Sequence, residues 1–227
     1  MISADNSRST QCGDDVIEVL HAEFSDKGLK IEVSPELFES MKAFSKLSED
    51  VFFSDENIDK LVDMVDNVLY PMGYEVRYGR NYHYTIDRRE AVNKALILDS
   101  SEVLLPDNEY ENLTDLSPEE LEFGFLCFAT VLDGRIVSIA TENPHHEEAK
   151  RIDIGVETAP DFEGKGYGSS NVASLAYYLL DTGITVTYTV DDGNIPSIKL
   201  AEKVGFTKQY HWFDIVGVKN ESPESKE

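Results

Sequence analysis

Glu163-Gly164-Lys165-Gly166-Tyr167-Gly168-Ser169-Ser170 closes an apolar, strand-like run, and after one helix and one strand comes Asn194-Ile195-Pro196-Ser197-Ile198-Lys199-Leu200-Ala201-Glu202-Lys203-Val204-Gly205-Phe206. Glycines at 164, 166 and 168 let the chain turn sharply and present bare N–H groups to a polyanion, and the helix that opens there adds the positive end of its dipole. A glycine turn between strand and helix is common for packing reasons alone. Its order with the downstream Asn helix is the more specific signal. A dinucleotide reading is disfavoured because Ser169 stands where a glycine or alanine is needed.

Working outward, Ile152 to Thr158 alternates Ile152, Ile154 and Val156 against Asp153, Gly155 and Glu157, which predicts a strand leading into the loop. Residues 166–180 are amphipathic and end at Gly183; 184–190 reads as a strand, 194–204 as a helix and 209–218 as a last strand. Upstream, Asp133-Gly134 between two apolar runs predicts a hairpin. Ser117-Pro118-Glu119-Glu120 predicts a short helix start, and Gly73 to Tyr84 a tyrosine-rich strand or hairpin. Ser34-Pro35-Glu36 opens an expected helix with Leu37, Phe38, Met41, Phe44 and Leu47 at helical spacing, and Ser54 to Tyr70 is a second, capped by Ser54 or Asp55. The division expected is a disordered leader 1–15, a helical and strand extension 16–99, a core 100–218 and a disordered tail 219–227.

Forty-four acidic against twenty basic side chains give 227 residues a formal charge of -24, which argues against attraction to nucleic acid or to an anionic membrane and favours a cationic partner. Charge of this kind also serves solubility. Cys12 and Cys127 form neither a disulfide framework nor a metal-ligand spacing, and Cys127 reads as a buried small hydrophobe. No metal is expected. His145-His146-Glu147-Glu148 reads as a solvated hairpin tip. With no secretory signal and no run of eighteen apolar residues, the expectation is a cytoplasmic monomer or homodimer that does not engage membranes.

The series of strand, Pro160-Asp161-Phe162-Glu163-Gly164-Lys165-Gly166-Tyr167-Gly168, helix, strand, Asn194 helix and Gly205-Phe206 resembles the GNAT superfamily of acetyl-CoA-dependent N-acetyltransferases over roughly residues 100 to 218. Within it, Asp153-Ile154-Gly155-Val156-Glu157-Thr158 with Ala201-Glu202-Lys203-Val204-Gly205-Phe206 looks most like the branch containing the zwittermicin A resistance acetyltransferases. The resemblance implies an α+β acyl-CoA N-acyltransferase fold: a mixed, mostly antiparallel central sheet flanked by helices, here with an N-terminal helical extension. It also implies acetyl-CoA as co-substrate. Its diphosphate would rest on the backbone of Gly164, Lys165, Gly166, Tyr167, Gly168 and Ser169, with the Lys165 cation and Ser169 hydroxyl helping. Unpaired backbone near Thr158 would bond pantetheine amides, and Asn194 would face the coenzyme arm.

Two departures from the family pattern stand out. Glu163 occupies the position usually held by Arg or Gln, and a carboxylate beside a diphosphate is repulsive unless it points to solvent. Ala201 stands where many members carry a tyrosine that returns a proton to the coenzyme A thiolate. Ser197, one turn after Asn194, Tyr188 on the adjoining strand, or water remain as donors. Acetyl transfer needs a neutral amine near the thioester, an oxyanion donor and a route for the lost proton. Glu157 and Asp153 lie on one face of the strand entering the loop and are candidates for the base, or else solvated side chains. The tyrosines at 70, 74, 78, 82 and 84 line an acceptor pocket or pack a strand. The reading is an N-acetyltransferase acting by direct attack of a small primary amine on acetyl-CoA. The alternatives are an acyl-CoA-binding module without turnover and a protein N-acetyltransferase.

Overall fold

The computed structural model describes residues 1–8, 10, 15–104, 112–113, 126–143 and 150–220. The expected helix start at Ser117, the His145-His146 pair, Cys12 and the final seven residues lie outside them. The chain divides into two units, residues 1–82 with 209–227, and residues 83–208.

The first unit is built on strands as much as on helices. β1 (Ile2–Ala4) pairs in parallel with β3 (Gly28–Val33), which forms a hairpin with β2 (Val16–Ser25), so part of the stretch expected as a frayed leader is ordered into a sheet. Most of β4 (Tyr74–Ile86) and of β11 (Thr207–Lys219) belongs to the same unit, and β2 pairs antiparallel with β11. Residues 34–47 do not make the single helix their spacing predicts. Pro35–Leu37 and Phe44–Lys46 are 3-10 turns on either side of α1 (Phe38–Met41). Leu37 and Met41 are fully buried, and Phe38, Phe44 and Leu47 pack partly buried against the same core, so the apolar spacing finds its core through short turns and not through one continuous helix. α2 (Glu49–Phe52) leads to α3 (Asp55–Leu69), where the predicted stripe Ile58, Leu61, Val65 and Leu69 is buried in one core with Leu20, Phe52 and Phe213. Ser54 is the cap residue in backbone angle, but its hydroxyl donates to the Val51 carbonyl instead of accepting from the helix.

The second unit holds the loop and helices singled out above. Its strands lie in the order β10 (Thr185–Asp191), β9 (Arg151–Thr158), β8 (Arg135–Asn143), β7 (Cys127–Leu132), β5 (Ser101–Val103), with β6 (Asn112–Leu113) parallel to β8. On that path β5, β7, β8 and β9 are joined antiparallel, while β9 and β10 run parallel. Asp133 and Gly134 form the predicted two-residue hairpin turn, both at positive φ. α4 (Tyr167–Asp181) and α5 (Ile195–Val204) pack together, and α4 lies on β7, β8 and β9. A buried polar chain pins α4 in place: Asn171, 0% exposed, accepts from the Thr130 hydroxyl at 3.3 Å and donates to the Ser138 carbonyl at 3.0 Å. Bonds of this kind each stabilise by about 1 kcal/mol and fix the register of the helix on the sheet.

α5 is closed at its far end. Gly205, at φ 117°, donates to Ala201 and Glu202, and Phe206 donates to Ala201. A Cβ at Gly205 would overlap the Ala91 carbonyl oxygen, so the residue is dictated twice, by backbone angle and by contact.

Candidate active site

β9 and β10 pair only at Thr185 with Arg151, Val186 with Ile152 and Thr187 with Asp153. Beyond that point the strands part, and the second half of β9 presents backbone that β10 does not meet. Val156 and Thr158 of β9, the 162–169 loop and the near face of α5 enclose a cleft of about 490 Å³.

The loop reaches this cleft through two residues in the left-handed region, Gly164 at φ 71° and Gly166 at φ 89°. Residues with a Cβ adopt such angles at a cost of about 1 kcal/mol or more. Gly166 is the cap residue of α4 and offers no side chain. The N–H groups from Gly164 to Ser169 make no hydrogen bond to another described residue, the first bond of the helix being Ser170 N–H to the Gly166 carbonyl. Six consecutive unengaged amides thus lead into a positive helix end, and five of these residues, Gly164 and Gly166 to Ser169, line the concave surface. Gly168 serves differently. A Cβ there would come within 3.1 Å of Thr158 Oγ1 and 3.4 Å of Leu200 and Val156, so its absence lets α4 sit close to β9 and α5.

Thr158, Gly164, Gly166, Tyr167, Gly168, Ser169, Asn194 and Ser197, each named from sequence, line the cleft. Thr158 Oγ1 is 2.8 Å from Ser138 Oγ. Asn194 Oδ1 accepts from the Ser197 N–H at 3.2 Å, so the side chain caps α5 while standing at the cleft edge. Lys165 lies off the lining, its Nζ 4.4 Å from the centre of the Phe162 ring. Glu163 lines the rim and is exposed to solvent.

The candidates for proton movement fall on two faces. Tyr188, 3% exposed, has its hydroxyl 2.6 Å from Ser197 Oγ. Burial raises its phenol above the ordinary tyrosine value; the Ser197 hydrogen bond opposes the shift and the Asp153 carboxylate adds to it. Glu157 and Asp153 alternate away from the cleft-lining Val156 and Thr158. Glu157 is exposed on that other face. Asp153 accepts from the Thr187 hydroxyl at 3.0 Å and the Thr189 hydroxyl at 3.2 Å, at the point where the strands part.

Phe162, Pro196, Lys199, Leu200 and Lys203 also line the cleft, beyond the residues that sequence patterns single out. Positions 196, 199, 200 and 203 form one helical stripe, so the period that marks an apolar face would have revealed this one. Two lysines on it place positive charge at a cleft in a strongly acidic chain.

The model of the FR47-like protein family matches residues 150–213. No curated protein matches the chain. Among solved structures, a Drosophila protein aligns with TM-score 0.52 at 15% identity, covering 71% of this chain and 59% of that one. A GCN5-related N-acetyltransferase-like protein from Streptococcus suis aligns with TM-score 0.47 at 24% identity, covering 68% and 66%. A GNAT-family acetyltransferase from Novosphingobium aromaticivorans aligns with TM-score 0.44 at 16% identity, covering 66% and 69%. The chain thus spans a little under two thirds of the Streptococcus protein and less of the Drosophila one. The fold is α+β, a mixed sheet flanked by helices. Among the described residues no group of His, Cys, Asp or Glu is arranged to hold a metal, and no helix is long and apolar enough to cross a membrane.

Proposed function

We propose that the protein transfers acetyl from acetyl-CoA to a primary amine of a small, cationic molecule by direct attack. The observation that carries this reading is the coincidence of six unengaged amides at the start of α4 with the parting of β9 from β10. The residues present fit the coenzyme: the amides suit a diphosphate, Lys199 and Lys203 add positive charge along the same cleft, and the edge of β9 that β10 does not meet suits a chain bearing amides. Exposure of Glu163 to solvent removes much of the repulsion expected from a carboxylate at that position.

For the acceptor, Asp153 is held by two threonine hydroxyls beside the point of divergence, on the face opposite α4. An ammonium approaching there meets a fixed carboxylate, which reduces the entropic cost of holding it and can take its proton directly or through water. Glu157, four residues further along the same face, is the second carboxylate available. The acidic surface favours a polyamine, amino acid or amine antibiotic over an anionic acceptor, the last in keeping with zwittermicin-like wording in 153–158 and 201–206. We assign the enzyme to the cytoplasm, where acetyl-CoA is available, as a monomer or homodimer.

The test combines calorimetry with acetyl-CoA and thiol release across a panel of amines. Binding followed by amine-dependent thiol release is the expected result. No binding overturns the reading, and binding without turnover on any amine, including protein amino groups, leaves an acyl-CoA-binding module.

A further inference from the structure

Position 201 is a fully buried alanine, so α5 offers no phenol to the cleft where the family pattern would have one. A phenol arrives instead from the sheet beneath. Tyr188 stands one residue past the last β9–β10 pair, almost entirely buried, with its oxygen 2.6 Å from Ser197 Oγ. Ser197 itself lines the cleft, and its position is fixed by its own N–H bond to Asn194 Oδ1. A tyrosine without cleft exposure is thus connected to the cleft through one serine hydroxyl.

We infer that Tyr188 and Ser197 work as one donor towards the departing sulfur, an inference that rests on the acetyl-transfer reading. A phenol is the more acidic of the two hydroxyls, so Tyr188 donates to Ser197 Oγ, and the serine proton is directed into the cleft. In the step itself, the amine nitrogen bonds to the thioester carbon and the C–S bond breaks with its electron pair going to sulfur. The Ser197 O–H donates a hydrogen bond to the forming thiolate, which takes its final proton from solvent as the amine's proton leaves to solvent. Tyr188 keeps its proton throughout. Ser197 is the catalytic residue and Tyr188 a positioning residue. The groups around Tyr188 preserve that role: the charge of Asp153, on the other face of the sheet, discourages a tyrosinate, Ser197 from α5 accepts from it, and the Phe206 ring lies 5.7 Å away.

Steady-state kinetics on four variants decide the matter. Tyr188→Phe should lower kcat about 10-fold with KM for acetyl-CoA held within about 2-fold. Ser197→Ala should lower kcat about 100-fold, Ser197→Thr should restore most of it, and Tyr188→Phe/Ser197→Ala should be no worse than Ser197→Ala. Wild-type activity should fall at strongly alkaline pH, beyond the range of an ordinary tyrosine because burial raises the phenol, as Tyr188 deprotonates, and Tyr188→Phe should lack that limb. Losses that multiply, or a Tyr188→Phe enzyme with wild-type kcat and pH profile, overturn the inference while leaving acetyl transfer intact. A wild-type protein that binds acetyl-CoA but releases no thiol overturns both. If Tyr188→Phe fails to fold by thermal melting, the contrast of Ser197→Ala with Ser197→Thr decides instead: higher activity of the threonine variant supports the pair, and equal activity of the two sinks it.

Discussion

The two helices around the cleft begin in opposite ways. α5 is sealed at its start by Asn194, whose side chain answers a helix N–H, and sealed at its end by Gly205. α4 starts at a glycine with no side chain to give, and leaves its first amides facing the cleft. Both helices need their orphan N–H groups met, and a protein can meet them from its own side chains or leave them for an anion. The contrast separates stability from binding: α5 contributes a fixed wall, and α4 contributes the unsatisfied donors.

That separation can be broken by substitution. Gly205→Ala attacks the sealed end, combining a left-handed backbone angle with overlap on the Ala91 carbonyl, and should lower the stability of the second unit by about 3–4 kcal/mol in urea unfolding. A loss under about 1 kcal/mol would mean that the end is not closed as described. Ser169→Asp acts on the open start. The new carboxylate should favour the helix dipole and raise Tm slightly, while weakening acetyl-CoA about 100-fold by calorimetry. Movement of both quantities in the same direction would erase the distinction between the helices. Asn194→Ala should cost about 1 kcal/mol of stability, and Asn194→Asp, which still caps, should restore it. Equal melting of the two variants would show that the cap contributes nothing.

The region from Arg151 to Phe206 is legible in the sequence because each local signal agrees with the next: alternation in β9, glycines at the turn, an amphipathic α4 and the Asn and Gly punctuation of α5. The first hundred residues are less so. The β2–β3 hairpin is not part of the expected layout, although Val16 to Ser25 is rich in β-branched and apolar residues and Gly28 ends the turn. The helix expected over 34–47 is broken although all five of its apolar positions pack in or against one core, because their spacing is met equally by short 3-10 turns on either side of α1. Within the cleft, identities of loop residues are readable from backbone chemistry. The contact of Tyr188 with Ser197 is not, since it joins a strand to a helix through side chains nine positions apart whose meeting depends on the packing angle. Nor is the parting of β9 from β10 readable from residues, because pairing is a property of two strands and neither sequence carries a break.

That parting has a thermodynamic consequence. A parallel pair that continued past Asp153 and Thr187 would join these strands main chain to main chain; here β10 does not, and a guest with alternating amide donors and acceptors can take its place beside β9. Such a guest finishes the sheet. Its recognition would tolerate side-chain changes along β9 that preserve the strand's path, and its occupancy would lift the unfolding temperature in proportion to the logarithm of its concentration, making the folded state partly a measure of coenzyme supply.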